Sequence, residues 1–261
     1  MLIRTISALI GAPLLLGLTY LGGPYTELLT AVIGIIALHE FQEIGRRLGI
    51  NIWTVMTIGV SVIWILFLNL NINNWMFPFI LFWLLLAMGR MGIQYPKVQL
   101  SEISYNFFSV IYTVILSSYL YLLRSLEQGM AWAFLAFILV WTTDTFAYLI
   151  GRAMGRHKLA PEVSPKKTIE GSIGGLLGAL LIGYSASRIM GGMPWTSFLL
   201  LSFIVGICAQ IGDLFESALK RSAHVKDSGT LIPGHGGFLD RFDSMLFTFP
   251  MIYYWVLFFV R

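Results

Sequence analysis

The chain has 261 residues, of which 57% are hydrophobic, 15% aromatic and only 11% charged. A soluble domain would surround its core with more charge than this, so the composition excludes one. The net charge of +4 does not point to nucleic acid, because the basic groups sit at the ends of apolar runs, where anionic lipid headgroups attract them.

A bilayer core of about 30 Å takes about 20 apolar residues to cross as a helix. Runs of that length predict about nine spans, near 2–21, 25–42, 52–71, 75–90, 105–124, 131–150, 171–190, 196–216 and 242–260. The fold class is therefore all-α, a polytopic integral membrane protein, with the N-terminus expected in the cytoplasm. The first run is too long for the apolar part of a signal peptide and has no small-residue cleavage site after it, so it reads as a span. With the N-terminus inside, 14 of the 17 Lys and Arg fall on the cytoplasmic side and only Arg124, Arg188 and Arg261 outside. That is a strong positive-inside bias.

Residues 1–130 contain no Asp and read as five scaffold spans. His39, Glu40 and Glu43 form half of an H-E-x-x-H zinc helix, but the second His is missing and no zinc site is expected. Residues 131–261 read as the catalytic part, with cytoplasmic loops at 151–170 and 217–241, because all five Asp fall between 144 and 243. Asp144 lies near the cytoplasmic end of the sixth span. A carboxylate there needs a cation or a metal as partner.

The loop that follows contains SPKKTIEG. Pro165 disfavours helix before it, Lys166 and Lys167 present two ammonium groups, and Thr168 with Glu170 can cap the next helix. Paired Lys beside a helix N-terminus suit an anion, although paired Lys beside a span also satisfy topology alone. Gly171 with Gly175, and Gly174 with Gly178, have the spacing that lets helices pack closely in lipid. The single Cys208 lies inside a span and reads as a packing residue.

The eighth span ends in QIGDLFESALKR, where Asp213, Glu216, Ser217 and Lys220 share one helix face. Two carboxylates one turn before a Lys suit a divalent cation beside a phosphate, and equally an ordinary Glu216–Lys220 salt bridge. From Ser217 to Asp243 charge is concentrated: Lys220, Arg221, Lys226 and Arg241 stand with Asp227, Asp240 and Asp243. Between them Pro233-Gly234-His235-Gly236-Gly237 makes a sharp turn whose glycines allow backbone N–H groups to face a phosphate. Asp240 could meet Asp213 across the bundle to hold a metal. His235 could bind phosphate, act as acid or base, or make a structural hydrogen bond.

At these residues the chain resembles the phosphatidate cytidylyltransferase (CDP-diglyceride synthetase) family. The 27-residue signature is matched at every fixed position, among them Ser217, Lys220, Arg221, Lys226, Asp227, Gly229, His235, Gly236, Gly237, Asp240, Arg241 and Asp243. The resemblance covers roughly 140–245. The first half is similar only in being polytopic.

The resemblance implies that CTP and phosphatidate give CDP-diacylglycerol and pyrophosphate with Mg²⁺, by in-line attack on the CTP α-phosphorus. A second, monovalent cation could share the site. With that reaction in view, the residues read above take catalytic roles at Asp213, Asp240, Lys220, Lys226 and Asp227, and metal roles at Asp213, Asp240, Asp144 and Asp243. Substrate contacts would come from Lys166, Lys167, Thr168, Ser217, Arg221, His235, Gly236, Gly237 and Arg241. Expected partners are CTP, phosphatidate and the bilayer, with no nucleic acid; a homodimer is compatible with the glycine-rich faces. With no targeting extension in view, the expected location is a bacterial inner (cytoplasmic) membrane with the site facing the cytoplasm. A transporter would instead spread its charges along several spans and break helices at mid-depth. A CTP-dependent lipid kinase would share the nucleotide but leave CDP.

Overall fold

The computed structural model describes residues 2–70, 73–231 and 236–260. Among them the chain is nearly all helical. The helices are α1 (Leu2–Leu21), α2 (Gly23–Arg47), α3 (Thr54–Asn69), α4 (Met76–Gln94), α5 (Leu100–Arg124), α6 (Gly129–Met154), α7 (Ile169–Ile189), α8 (Trp195–Ser222) and α9 (Asp243–Phe259). Each predicted apolar run falls on one of these helices. By length and composition α2, α4, α5, α6, α7 and α8 suffice to cross a membrane, while the apolar stretches of α1, α3 and α9 are shorter. The outer surface is apolar, with Val55 88%, Ile93 85% and Phe77 76% exposed. Side chains of this kind need hydrocarbon around them.

The second half packs backbone to backbone through its glycines. A Cβ at Gly175 would lie 2.9 Å from the Thr143 carbonyl of α6, and one at Gly178 would lie 2.8 Å from Phe146 Cγ. The α7 glycine stripe is thus the seam against α6, as the small-residue spacing predicts. Gly206 of α8 faces Ala179 of α7, and a Cβ at Gly212 would sit 2.6 Å from the Asp243 carbonyl of α9. In this way α6, α7, α8 and α9 are drawn into one bundle. The main core joins that bundle to α1, α2 and α5, and α3 with α4 packs on the other side of α5 around Trp64 and Trp83.

The segment 151–170 departs from the all-α expectation. It holds an antiparallel ribbon of β1 (Lys158–Ala160) and β2 (Ser164–Thr168), with Lys158 opposite Thr168 and Ala160 opposite Ser164. Pro165 keeps Ser164 extended, and its missing N–H is tolerated in a ribbon with free edges. Thr168 then caps α7, its hydroxyl accepting the Gly171 N–H at 3.1 Å. Glu170 accepts the Arg156 and His157 N–H groups, tying the ribbon's entry to α7.

Gly178→Leu should destabilise the α6–α7 seam by about 1–3 kcal/mol, the usual cost of overpacking. Gly59→Ala, where a Cβ meets nothing within 4 Å, should not. Thermal unfolding of the detergent-solubilised protein, read by monodispersity, checks both.

Candidate active site

The centre of the site is Lys220, in the last turn of α8 and only 9% exposed. Its ammonium bonds to Glu216 one turn earlier and to Asp240 in the short 3₁₀ turn Leu239–Arg241. Asp240 also accepts the backbone N–H of Ser228 at 3.1 Å and of Gly237 at 2.8 Å. One carboxylate therefore closes the loop on itself and fastens it to α8. Burial pushes the Asp240 carboxyl up, but the Lys220 ammonium and hydrogen bonds from Glu216 and the Ser228 N–H together hold it below the ordinary carboxylate range. Its stabilising contribution is therefore full above about pH 4 and lost as the pH falls through that lowered value.

A second anchor comes from the first half of the chain. Glu40 of α2 is buried and accepts the Ser228 hydroxyl and the Phe238 and Leu239 N–H groups, each at 2.8 Å. Gly237 is required at this crossing, since a Cβ there would meet Ser228 Oγ and would lie 2.7 Å from Glu40 Oε2. Gly236, at φ 83°, supplies the left-handed turn before it. The Gly237 N–H, expected to face a phosphate, is bonded instead to Asp240. His235 lies outside the described residues.

On one side of this knot is a cavity of about 500 Å³ between α6, β2, α7 and α8. Asp144, Lys166, Lys167, Thr168 and Asp213 line it. Lys167 Nζ lies 2.6 Å from Asp213 Oδ2, joining the ribbon to α8, and Ser217 Oγ donates to Asp213 at 3.4 Å. Tyr148, Arg152, Ser172 and Gln210 line the same cavity and were not singled out in the sequence. Tyr148 and Arg152 follow Asp144 at four-residue steps on α6, and Gln210 precedes Asp213 by three on α8, so extending the Asp144 face by two turns and the Asp213 face by one finds these three, though not Ser172.

Asp243, buried at the start of α9, lies within electrostatic range of Asp213 and Asp144, and also of Glu216. Glu216 Oε1 is fully buried and has no hydrogen-bond donor. Four carboxylates thus gather where Lys167 and Lys220 are the ion-paired cations, in surroundings that penalise unbalanced charge. Among the described residues no three His, Cys, Asp or Glu side chains surround a common point.

Lys226 and Asp227 are on the other side of the knot, in a cavity of about 580 Å³ shared with His39, Glu43 and Arg47 of α2. Arg221 bonds to the Val163 and Val225 carbonyls and joins the ribbon to the end of α8. Arg241 faces a third, apolar cavity. The structure therefore brings Asp144, Lys166, Lys167, Thr168 and Asp213 together, while of the signature Lys220 and Asp240 form the knot, Lys226 and Asp227 line the second cavity and Arg241 lines the apolar groove.

The family model described as the cytidylyltransferase family matches residues 2–259. The chain is 35% identical to the phosphatidate cytidylyltransferase of Staphylococcus haemolyticus, over 97% of each chain. It is 33% identical to that of Bacillus subtilis over 96% of each, and 34% identical to that of Staphylococcus aureus over 97% of each. The similarity thus extends well beyond 140–245 into the helices that looked like plain scaffold.

Glu40→Gln sets an NH2 donor against either the Phe238 or the Leu239 N–H and leaves the other bond without its charge. A hydrogen bond to a charged group is worth about 1.5–3 kcal/mol, so amide exchange at Phe238 and Leu239 should quicken about 10- to 100-fold. Exchange mass spectrometry of the 228–239 peptides reads this; unchanged protection would remove Glu40 as the anchor.

Proposed function

The chain belongs to the cytidylyltransferase family, and from that membership and the polar cavity we propose that this enzyme transfers the cytidylyl group of CTP to phosphatidate. The products would be CDP-diacylglycerol, for phospholipid synthesis, and pyrophosphate. The observation that carries this reading is the Lys167–Asp213 pair at 2.6 Å in a cavity that Asp144 and Lys166 also line.

A phosphate oxygen of phosphatidate attacks the α-phosphorus of CTP, and the bond from that phosphorus to the pyrophosphate oxygen breaks in line. Phosphate monoesters are largely ionised near neutral pH, so the nucleophile needs little help from a base. The difficulty lies in bringing two polyanions together, and catalysis is then mostly positioning and charge neutralisation. Lys166, Lys167 and Arg152 supply positive charge at the cavity wall. Asp240 and Lys220 are committed to each other and to the loop, which favours positioning roles for both.

The surplus of oxygen donors, including the unpartnered Glu216 Oε1, fits a hard divalent cation. Asp213 and Asp144 would hold Mg²⁺, with Asp243 behind them, and bound Mg²⁺ would offset phosphate charge. A monovalent cation beside it would offset the remaining carboxylates. Counting α1, α3 and α9 as crossings gives nine spans and puts the 151–170 and 217–241 segments on one side. The distribution of Lys and Arg supports the cytoplasmic side of the inner membrane, beside the leaflet that supplies phosphatidate. The α7 glycine stripe is taken up by the α6 seam within the chain, so a homodimer would have to use other faces.

Purified protein given phosphatidate, Mg²⁺ and α-labelled CTP should move label into the lipid fraction. Lys167→Ala and Asp213→Asn should each lower kcat/KM about 10²- to 10³-fold while eluting as the native protein does. No lipid label from α-labelled CTP, or label only from the γ position, would overturn the transferase reading. Full activity of Asp213→Asn at limiting Mg²⁺ would overturn the metal assignment.

A further inference from the structure

A cavity of about 580 Å³ runs between α1, α2, α6 and α9, apart from the polar one. Its walls are aliphatic, including Leu14 of α1, Val32 of α2 and Met245 of α9. Ser7 through Leu18 of α1 line it, which at 1.5 Å per residue is a length of about 16 Å. That is close to the hydrocarbon depth of one leaflet, about half of a 30 Å core.

The two ends of the groove differ. The far end lies at the α1–α2 turn, where the Thr26 hydroxyl bonds to the Leu18 carbonyl. The near end is bordered by the signature turn, which contributes Phe238, Phe242 and Arg241 and is held by Glu40 farther along α2. A guanidinium at the mouth of a leaflet-deep apolar groove matches an amphiphile with an anionic head, and Arg is well suited to phosphate. The groove also adjoins the chemistry: Trp141 lines it, whereas Asp144, three residues on along α6, lines the polar cavity. That step is about 4.5 Å along the helix.

We propose that this groove seats an acyl chain of the lipid substrate and that Arg241 meets its phosphate. The inference rests on phosphatidate being the substrate, and it assigns α1 and the first turns of α2 to substrate binding rather than scaffold. Selection among acyl chains then resides in α1 and α2, far in sequence from the signature.

Gly11 allows a clean test, because it lines the groove and a Cβ there meets nothing within 4 Å. In the full-length protein, Gly11→Phe should raise KM for dioleoyl phosphatidate at least tenfold. KM for CTP and turnover of dihexanoyl phosphatidate, whose chains are too short to fill the groove, should stay as they were. Equal effects on both lipids, or none, would overturn the proposal. Wild-type protein offers a second route through phosphatidate with a diazirine near the chain end, which should crosslink within residues 11–33. Crosslinks there without CDP-lipid formation would keep the groove and sink the substrate reading. CDP-lipid formation with crosslinks only on α3 or α4 would do the reverse.

Discussion

Burying a carboxylate inside an apolar bundle costs several kcal/mol unless donors replace the water it loses, and Glu40 obtains three donors from one loop. Those donors are the Ser228 hydroxyl and the N–H groups of Phe238 and Leu239, which sit where the chain turns into α9. The need is mutual, because N–H groups at such a turn have no helical partner of their own. The same loop reaches in the opposite direction through Asp240 to Lys220, and Lys220 is held by Glu216. An unbroken line of charge and hydrogen bonds therefore runs from α2 through the loop to α8.

This line determines what each neighbouring surface can do. Asp240, Gly237 and Lys220 are occupied in holding the loop, so the groups that open onto the polar cavity are Asp144, Lys166, Lys167 and Asp213. The α6–α7 glycine seam brings the ribbon lysines to α8, because Thr168 both ends the ribbon and caps α7. The apolar groove lies against the back of the same turn, through Phe238, Arg241 and Phe242. A nucleotide and a lipid can thus approach one short turn from different sides, and neither has to pass through the packed core.

Much of this was legible in the sequence. Each apolar run falls on a helix among the described residues, and six of these helices are long and apolar enough to cross a membrane. The spacing of Gly171, Gly174, Gly175 and Gly178 foretold a close helix seam, and the shared face of α8 foretold the Glu216–Lys220 pair. Other features left no local trace. The ribbon is only a few residues per strand and reads as loop, with Pro165 the one hint of extended backbone. Glu40 stands beside His39 and before Glu43, so nearby residues suggested a broken metal motif, while its real partners lie 188 to 199 positions away. Long-range satisfaction of a buried charge has no periodicity to betray it. A buried acid on an otherwise apolar helix is itself the signal, and it means that a partner must be sought elsewhere.

The central claim is that α2 and the signature loop act as one unit through Glu40, and a double-mutant cycle measures it directly. Glu40→Gln, Ser228→Ala and the double variant are compared in unfolding free energy and in kcat/KM. The account predicts a coupling of about 1 kcal/mol or more, with the double variant less impaired than the sum of the two single ones. Additive effects would contradict it, leaving α2 as packing alone and the loop held only by Asp240 and Lys220.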